Sequence, residues 1–315
     1  MFPLEHQNNR NNDDNDRVQE VRDARKLFLI CLAVILGLSL LGIIFPFFSF
    51  AAALIWPVPV VYLALKQGLK RAAFMIAAAA LLNGILITPV LGLITVAGFG
   101  FVGFVMAGAL LENLSCFRVL FFTVLAAVAS NFLLITGISL GMGYGFQEGI
   151  RNALLENLLP LLENGEMSVL IQLQLDLVMR LMPSLIVISG LISGILNYYI
   201  VHWFLKAKNM GIKIYHTVDK WRFPAGYLTA AIVLALLFRG QTVMLNLGVV
   251  VFFLVFLQGF GVGLFYVVRK SSSLFWRWLY VFFVIVIPLL PPLLLLLGLI
   301  DLWFDIRKLK FTGSG

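Results

Sequence analysis

Apolar runs of about 20 residues recur along this chain from Leu27 to Trp303, and that repetition leaves few folds open. A helix rising 1.5 Å per residue crosses a hydrocarbon core of about 30 Å in about that length. Only 12% of the 315 residues are charged and 61% are hydrophobic, so a water-soluble globule could not hide its oily surface. In lipid every backbone N–H and C=O needs an internal partner, which restricts spanning structure to helices and closed barrels. The runs lack the period-two alternation of barrel strands. The expected fold class is an all-α polytopic membrane protein with the lipid bilayer as its first partner.

Nine candidate spans are read, at 27–45, 50–65, 72–89, 91–111, 118–141, 181–205, 225–239, 243–268 and 276–300. Pro46, Pro89, Gly92 and the Gly141, Gly143, Gly145 group punctuate them as turn residues should. Pro288, Pro291 and Pro292 interrupt the last, which is therefore expected to be broken or re-entrant, leaving eight to nine transmembrane helices. Residues 1–26 are rich in Asn, Asp and Arg and are expected to form a disordered cytoplasmic N-terminus. Their acidic residues exclude the basic n-region of a cleavable signal, so the first span is read as an uncleaved anchor. Lys and Arg resist translocation, and alternating the spans puts most of the 23 on the N-terminal side, which is therefore expected to be cytoplasmic. Arg307, Lys308 and Lys310 go against that rule if all nine runs cross.

Residues 142–180 form the one long external segment, where Leu154, Leu155, Leu158, Leu159, Leu161 and Leu162 suggest an amphipathic helix on the outer surface. From Met167 to Lys206 one long helix is expected, with Asp176 and Arg180 spaced to pair at i, i+4. The domain plan is then 27–205 as a six-helix membrane unit, 206–224 as a basic cytoplasmic loop, 225–303 as additional helices and 304–315 as a tail.

Polar groups inside the spans are costly unless paired, so they are the candidate ligand-binding residues. Asn83, Thr88 and Asn131, with Asp176 and Arg180 at an outer helix end and Trp56 as a wall, could converge on an outward cavity. The bland reading of each is an interhelical hydrogen bond or an interfacial anchor. Asn197, His202, Asn246 and Gln258 complete the set of buried polar residues. Gly98-Phe99-Gly100-Phe101-Val102-Gly103 matches a dinucleotide-binding string, but in a lipid-length run it reads as a close-packing helix face. Ala33 with Gly37, Ala73 with Ala77 and Gly190 with Gly194 extend that logic to other helix contacts.

No nucleophile–base set, metal spacing or phosphate loop is found, so no catalytic residue, metal or cofactor is assigned and no enzymatic role is expected. Asp301 and Asp305 beside Arg307 read as a capped helix end. Cys31 and Cys116 read as packing thiols. The net charge of +8 sits in the loops predicted to be cytoplasmic and reads as attraction to the leaflet, with no nucleic-acid partner.

The closing run Gly298-Leu299-Ile300-Asp301-Leu302-Trp303-Phe304-Asp305-Ile306-Arg307, the prolines before it, and Trp56-Pro57-Val58-Pro59 followed by Leu65-Lys66-Gln67-Gly68 resemble the YybS-like bacterial multi-pass membrane proteins, a family of unknown function. That family is similar in hydropathy to the substrate-binding S components of energy-coupling-factor transporters. The resemblance implies a bacterial cytoplasmic membrane location and an S-component-like unit in the first six helices. It also implies a partner-docking face on the first helix, where Ala33 and Gly37 are the nearest counterpart. Two functions follow as expectations. One is small-molecule binding or transport, as a carrier or substrate-capture subunit that needs a partner protein. The other is a non-catalytic scaffold docking envelope-assembly or signalling proteins through Lys206, Lys208 and Lys213.

Overall fold

A computed structural model describes residues 4–143, 145, 147–152, 165–210, 217–238, 240–271 and 273–308. All regular structure among them is helical. Seven helices or joined helix pairs are long and apolar enough to cross a membrane, or eight if one sharply bent pair is counted as a span. The chain divides into two compact units, 1–144 with 190–213, and 145–189 with 214–315.

The first unit opens with α1 (Leu4–Ile44), a single helix that runs through the polar N-terminus into the first span. This differs from the disorder expected for residues 1–26. Nucleation is the costly step of helix formation, and once the apolar stretch is helical each further residue adds one bond to an existing end. The Asp23–Lys26 pair at 3.9 Å lies on that extension.

Next come α2 (Ser49–Ile55) and α3 (Pro57–Gln67), joined through Trp56, whose N–H bonds the Ala52 carbonyl. Pro57 is tolerated there because the first position of a helix needs no N–H. Gly68, at φ 88°, turns the chain sharply into α4 (Leu69–Leu86). A fourth crossing is assembled from α5 (Pro89–Leu93), a π turn over Ile94–Gly100 and α6 (Phe101–Leu111). The fifth is α7 (Cys116–Met142), which Gly143 ends in the left-handed conformation.

The glycine string in the fourth crossing packs closely, as its composition implies. A Cβ added at Gly100 would lie 2.6 Å from Ile76, and one at Gly103 would lie 2.9 Å from Val60. The long helix α8 (Gly165–Ala207) gives its latter part to this unit, where a Cβ at Gly190 or Gly194 would come within 2.7 Å of Val128 or Val124. The other small-residue pairs do not behave this way. Ala33, Gly37, Ala73 and Ala77 are exposed, and nothing lies near a Cβ at Gly37.

The second unit contains the earlier part of α8, α9 (Ala225–Leu237), α10 (Thr242–Lys270), α11 (Leu274–Val286) and α12 (Leu290–Phe304). Two of the nine expected spans change character here. The run 225–239 is a helix of 13 residues, about 20 Å long and too short to cross alone. The run 276–300 is broken at Pro288 into α11 and α12, which are bent by 112°.

Helices α10 and α12 approach most closely. A Cβ at Gly259 would run into the Leu294 carbonyl, and one at Gly298 into that of Val255. With Val251 packed in the cluster that holds Leu302, these pairs set α12 antiparallel to α10. The helix expected over 167–206 is present as α8, whereas the amphipathic Leu154–Leu162 stretch falls within 153–164, outside the described residues.

Candidate functional site

The residues first singled out from sequence belong to two units, Asn83, Thr88, Asn131 and Trp56 to the first and Asp176 and Arg180 to the second. Asn83 is buried and donates to Ser39 Oγ at 3.0 Å and Thr95 Oγ1 at 2.9 Å, which ties α4 to α1 and to the π turn. Both hydroxyls pass their protons to helix carbonyls, of Ile35 and Leu91. Asn83 is therefore an interhelical clamp. Thr88 is exposed and accepts from Leu91 N–H at 3.2 Å, capping α5. Trp56 is buried in the first unit and Asn131 is half-buried on α7, and both are engaged.

Asp176 and Arg180 belong to the other unit and are exposed. The expected i, i+4 pair is replaced by one between Asp176 and Arg151 at 3.6 Å. Half-exposed on both sides, that bridge contributes at most about 1 kcal/mol. The Arg180 carbonyl instead accepts from Asn246 Nδ2 at 2.8 Å, while Asn246 Oδ1 accepts from Ser184 N–H at 2.9 Å. One carboxamide is thus inserted into the hydrogen-bond ladder of α8 beside Pro183, which cannot donate there. Lys206 and Lys208 are exposed at the end of α8, with Lys208 over the Phe204 ring at 5.9 Å, and Lys213 lies outside the described residues.

The polar centre of the molecule is elsewhere, in the second unit, around residues that sequence reasoning treated as a helix end. Asp301 is fully buried on α12, one turn before the helix stops at Asp305 in a left-handed conformation. Its Oδ2 accepts from Arg307 Nη2 at 2.7 Å and from Gln258 Nε2 on α10 at 3.0 Å. Both partners of the ion pair have side chains with no solvent exposure.

The guanidinium also donates to the carbonyls of Asp219 at 2.6 Å and Trp221 at 2.7 Å. Those carbonyls belong to a stretch that leaves the helical pattern, with a 3-10 turn at Val218–Lys220 followed by extended backbone to Pro224. Gln258 Oε1 accepts from Phe223 N–H at 3.2 Å, and Arg222 pairs with Asp305 at 2.9 Å. Thr217 Oγ1 donates to Asp219 Oδ1. Two atoms at the centre, Asp301 Oδ1 and Arg307 Nε, are buried with no hydrogen-bond partner among the described residues.

Depth gives this cluster its chemical meaning. The 29 residues of α10 extend about 43 Å, with Gln258 about 24 Å from one end and about 18 Å from the other. A 30 Å hydrocarbon slab placed anywhere along that length keeps Gln258 at least about 5 Å inside it. Gln258 and the Asp301 carboxylate it binds therefore lie at the level of the hydrocarbon layer, while the Arg307 guanidinium reaches Gly261, further towards the end of α10 that carries Arg269 and Lys270. The sequence signal was present in Asp301, an acid following Leu293–Ile300 without a turn residue of its own. Proximity to Asp305 and the chain's basic end disguised it as a cap.

Helices of crossing length, an oily exterior and a buried ion pair define a polytopic α-helical membrane protein. The chain belongs to the family described as "Predicted membrane protein (DUF2232)", whose profile matches residues 31–302 and so takes in Gln258 and Asp301. No curated protein and no solved structure gives a significant match.

Proposed function

We propose that this protein is a membrane carrier that binds a small molecule through the second unit. The observation that supports the reading is the Asp301–Arg307–Gln258 cluster, in which charge is maintained in a buried site beside helices that are broken and chain that is not helical. A purely structural pair could be replaced by apolar residues of similar volume at little cost, whereas carriers need charged groups and interrupted helices where a solute is held. The N-terminus is assigned to the cytoplasmic side of a bacterial inner membrane on the distribution of Lys and Arg.

The reading transfers the binding role away from Asn83, Thr88, Asn131 and Trp56, whose contacts serve the packing of the first unit. It involves no covalent chemistry. Native mass spectrometry of the purified protein tests it. Wild type should retain a non-protein mass that is lost in Gln258→Leu and kept in Arg151→Gln, which alters only the exposed pair. A bare wild-type mass, or equal retention by all three proteins, would refute the carrier.

A further inference from the structure

Within that carrier reading, we propose that Asp301 is the binding site of a monovalent coupling cation, a proton or a sodium ion, which displaces Arg307 and frees the 217–223 segment. The argument starts from the uneven use of the carboxylate. Oδ2 is shared by Arg307 and Gln258, while Oδ1, equally shut off from solvent, has no partner among the described residues. An ionised oxygen deep in hydrocarbon is a strong attractor for a cation small enough to reach it.

The charged groups near it are few. The segment bearing Val218–Lys220 presents Asp219, Lys220 and Arg222, and the chain after α12 presents Asp305 and Arg307. The neighbouring face of α10 presents neutral Gln258, with Arg269 and Lys270 confined to its end. Lys220 is exposed, the buried and half-buried members of these stretches are Asp219, Asp301 and Asp305 with Arg222 and Arg307, and α11 adds the half-buried Arg277.

Displacement has a mechanical consequence. Arg307 is the group that joins Asp301 to the carbonyls of Asp219 and Trp221. With the carboxylate neutralised, the guanidinium loses its ionic partner and holds two carbonyls that belong to a stretch without a helix to keep it in place. A cation on Asp301 weakens the attraction of the carboxylate for Arg307, and by linkage the Arg307–Asp301 bond weakens cation binding by the same factor.

The test uses the full chain in proteoliposomes, with the free cysteines Cys31 and Cys116 replaced by serine and Val218→Cys as reporter. Its maleimide labelling rate is divided by that of Ser273→Cys, an exposed position, which cancels the pH dependence of thiol chemistry. The ratio should rise about tenfold on moving from alkaline to acid buffer if the ion is a proton, or on exchanging potassium for sodium at one ionic strength if it is sodium. In Asp301→Asn with Arg307→Gln, which removes both charges and avoids a lone buried one, the ratio should be high and insensitive to either ion. A wild-type ratio unchanged by both ions overturns the proposal. A retained small molecule with cation-insensitive labelling would leave the carrier standing and remove the coupling ion, and the converse result would do the opposite.

Discussion

Removing either member of the buried Arg307–Asp301 pair should damage this protein more than removing both. In Arg307→Met the Asp301 carboxylate keeps only Gln258 and stands uncompensated in hydrocarbon, for which the expected loss is about 3–5 kcal/mol. The carbonyls of Asp219 and Trp221 lose their donor as well, and each buried unsatisfied group adds roughly 1–3 kcal/mol unless the segment relaxes towards water. In Asp301→Asn the guanidinium keeps both carbonyls but cannot shed its charge and is left uncompensated, so the loss should again be about 3–5 kcal/mol. The double variant should be less destabilised than either, because the second change removes the lone charge left by the first. Reversible unfolding by sodium dodecyl sulfate titration in mixed micelles measures all three. If each single variant lies within about 0.5 kcal/mol of wild type, the pair behaves as a solvated surface bridge and the buried placement fails.

Other positions give independent checks. Asn246→Leu would leave the Arg180 carbonyl and Ser184 N–H without their side-chain partner beside Pro183, costing roughly 1–3 kcal/mol in the same titration, and an unchanged midpoint would sink the ladder-insertion account. Gly298→Val puts a branched side chain where the Val255 carbonyl lies, so it should be among the most damaging apolar substitutions, whereas Gly37→Val, with nothing near its Cβ, should be nearly silent. Asn83→Leu should cost only about 0.6–1.7 kcal/mol, the range of membrane interhelical hydrogen bonds, and should leave any retained molecule in place by native mass spectrometry. Single cysteines at Gln241 and Ser273 should label from opposite faces of the membrane, because α10 between them is long enough to cross.

The spanning helices could be read from the chain because their cause is local. Length and lack of charge within a run decide whether it crosses, and both are properties of consecutive residues. The close-packing roles of Gly100, Gly103, Gly190 and Gly194 were readable for the same reason. Ala33 and Gly37 show the limit, since spacing reveals a face able to pack without revealing whether something packs there. The site was less legible. Asp301 meets Gln258 and Arg307 meets Asp219 only through pairings across 43 and 88 positions. A short local view assigned Asp301 to the nearby helix end, which Asp305 in fact forms, and assigned Asp176 to Arg180, which sequence spacing made the obvious partner. The 112° bend shows an intermediate case: three prolines announced the break, but its direction depends on how α12 docks against Gly259.

Burial of Arg307 takes one residue out of the charge pattern, while Lys308 and Lys310 remain in it. The tendency of Lys and Arg to stay on one side concerns solvated loop charges, and a guanidinium locked to Asp301 and two carbonyls is no longer one of them. Helices α11 and α12, about 20 and 22 Å long, do not cross 30 Å as one straight helix, because the second is bent by 112° on the first. The pair is thus a broken span or a re-entrant loop. The short helix α9 is completed differently. Its Ala235 lies beside Gly248 and the segment ahead of it reaches Gly261 through the Val218 carbonyl, so helix and irregular chain together run beside α10 over about 20 Å of its length. Lys220 and Arg222 are thereby brought towards the end of α10 that carries Arg269 and Lys270, which restores the clustering of basic residues. The part of that run with no helix is the part that Arg307 binds, so the irregularity and the buried charge have a single physical origin.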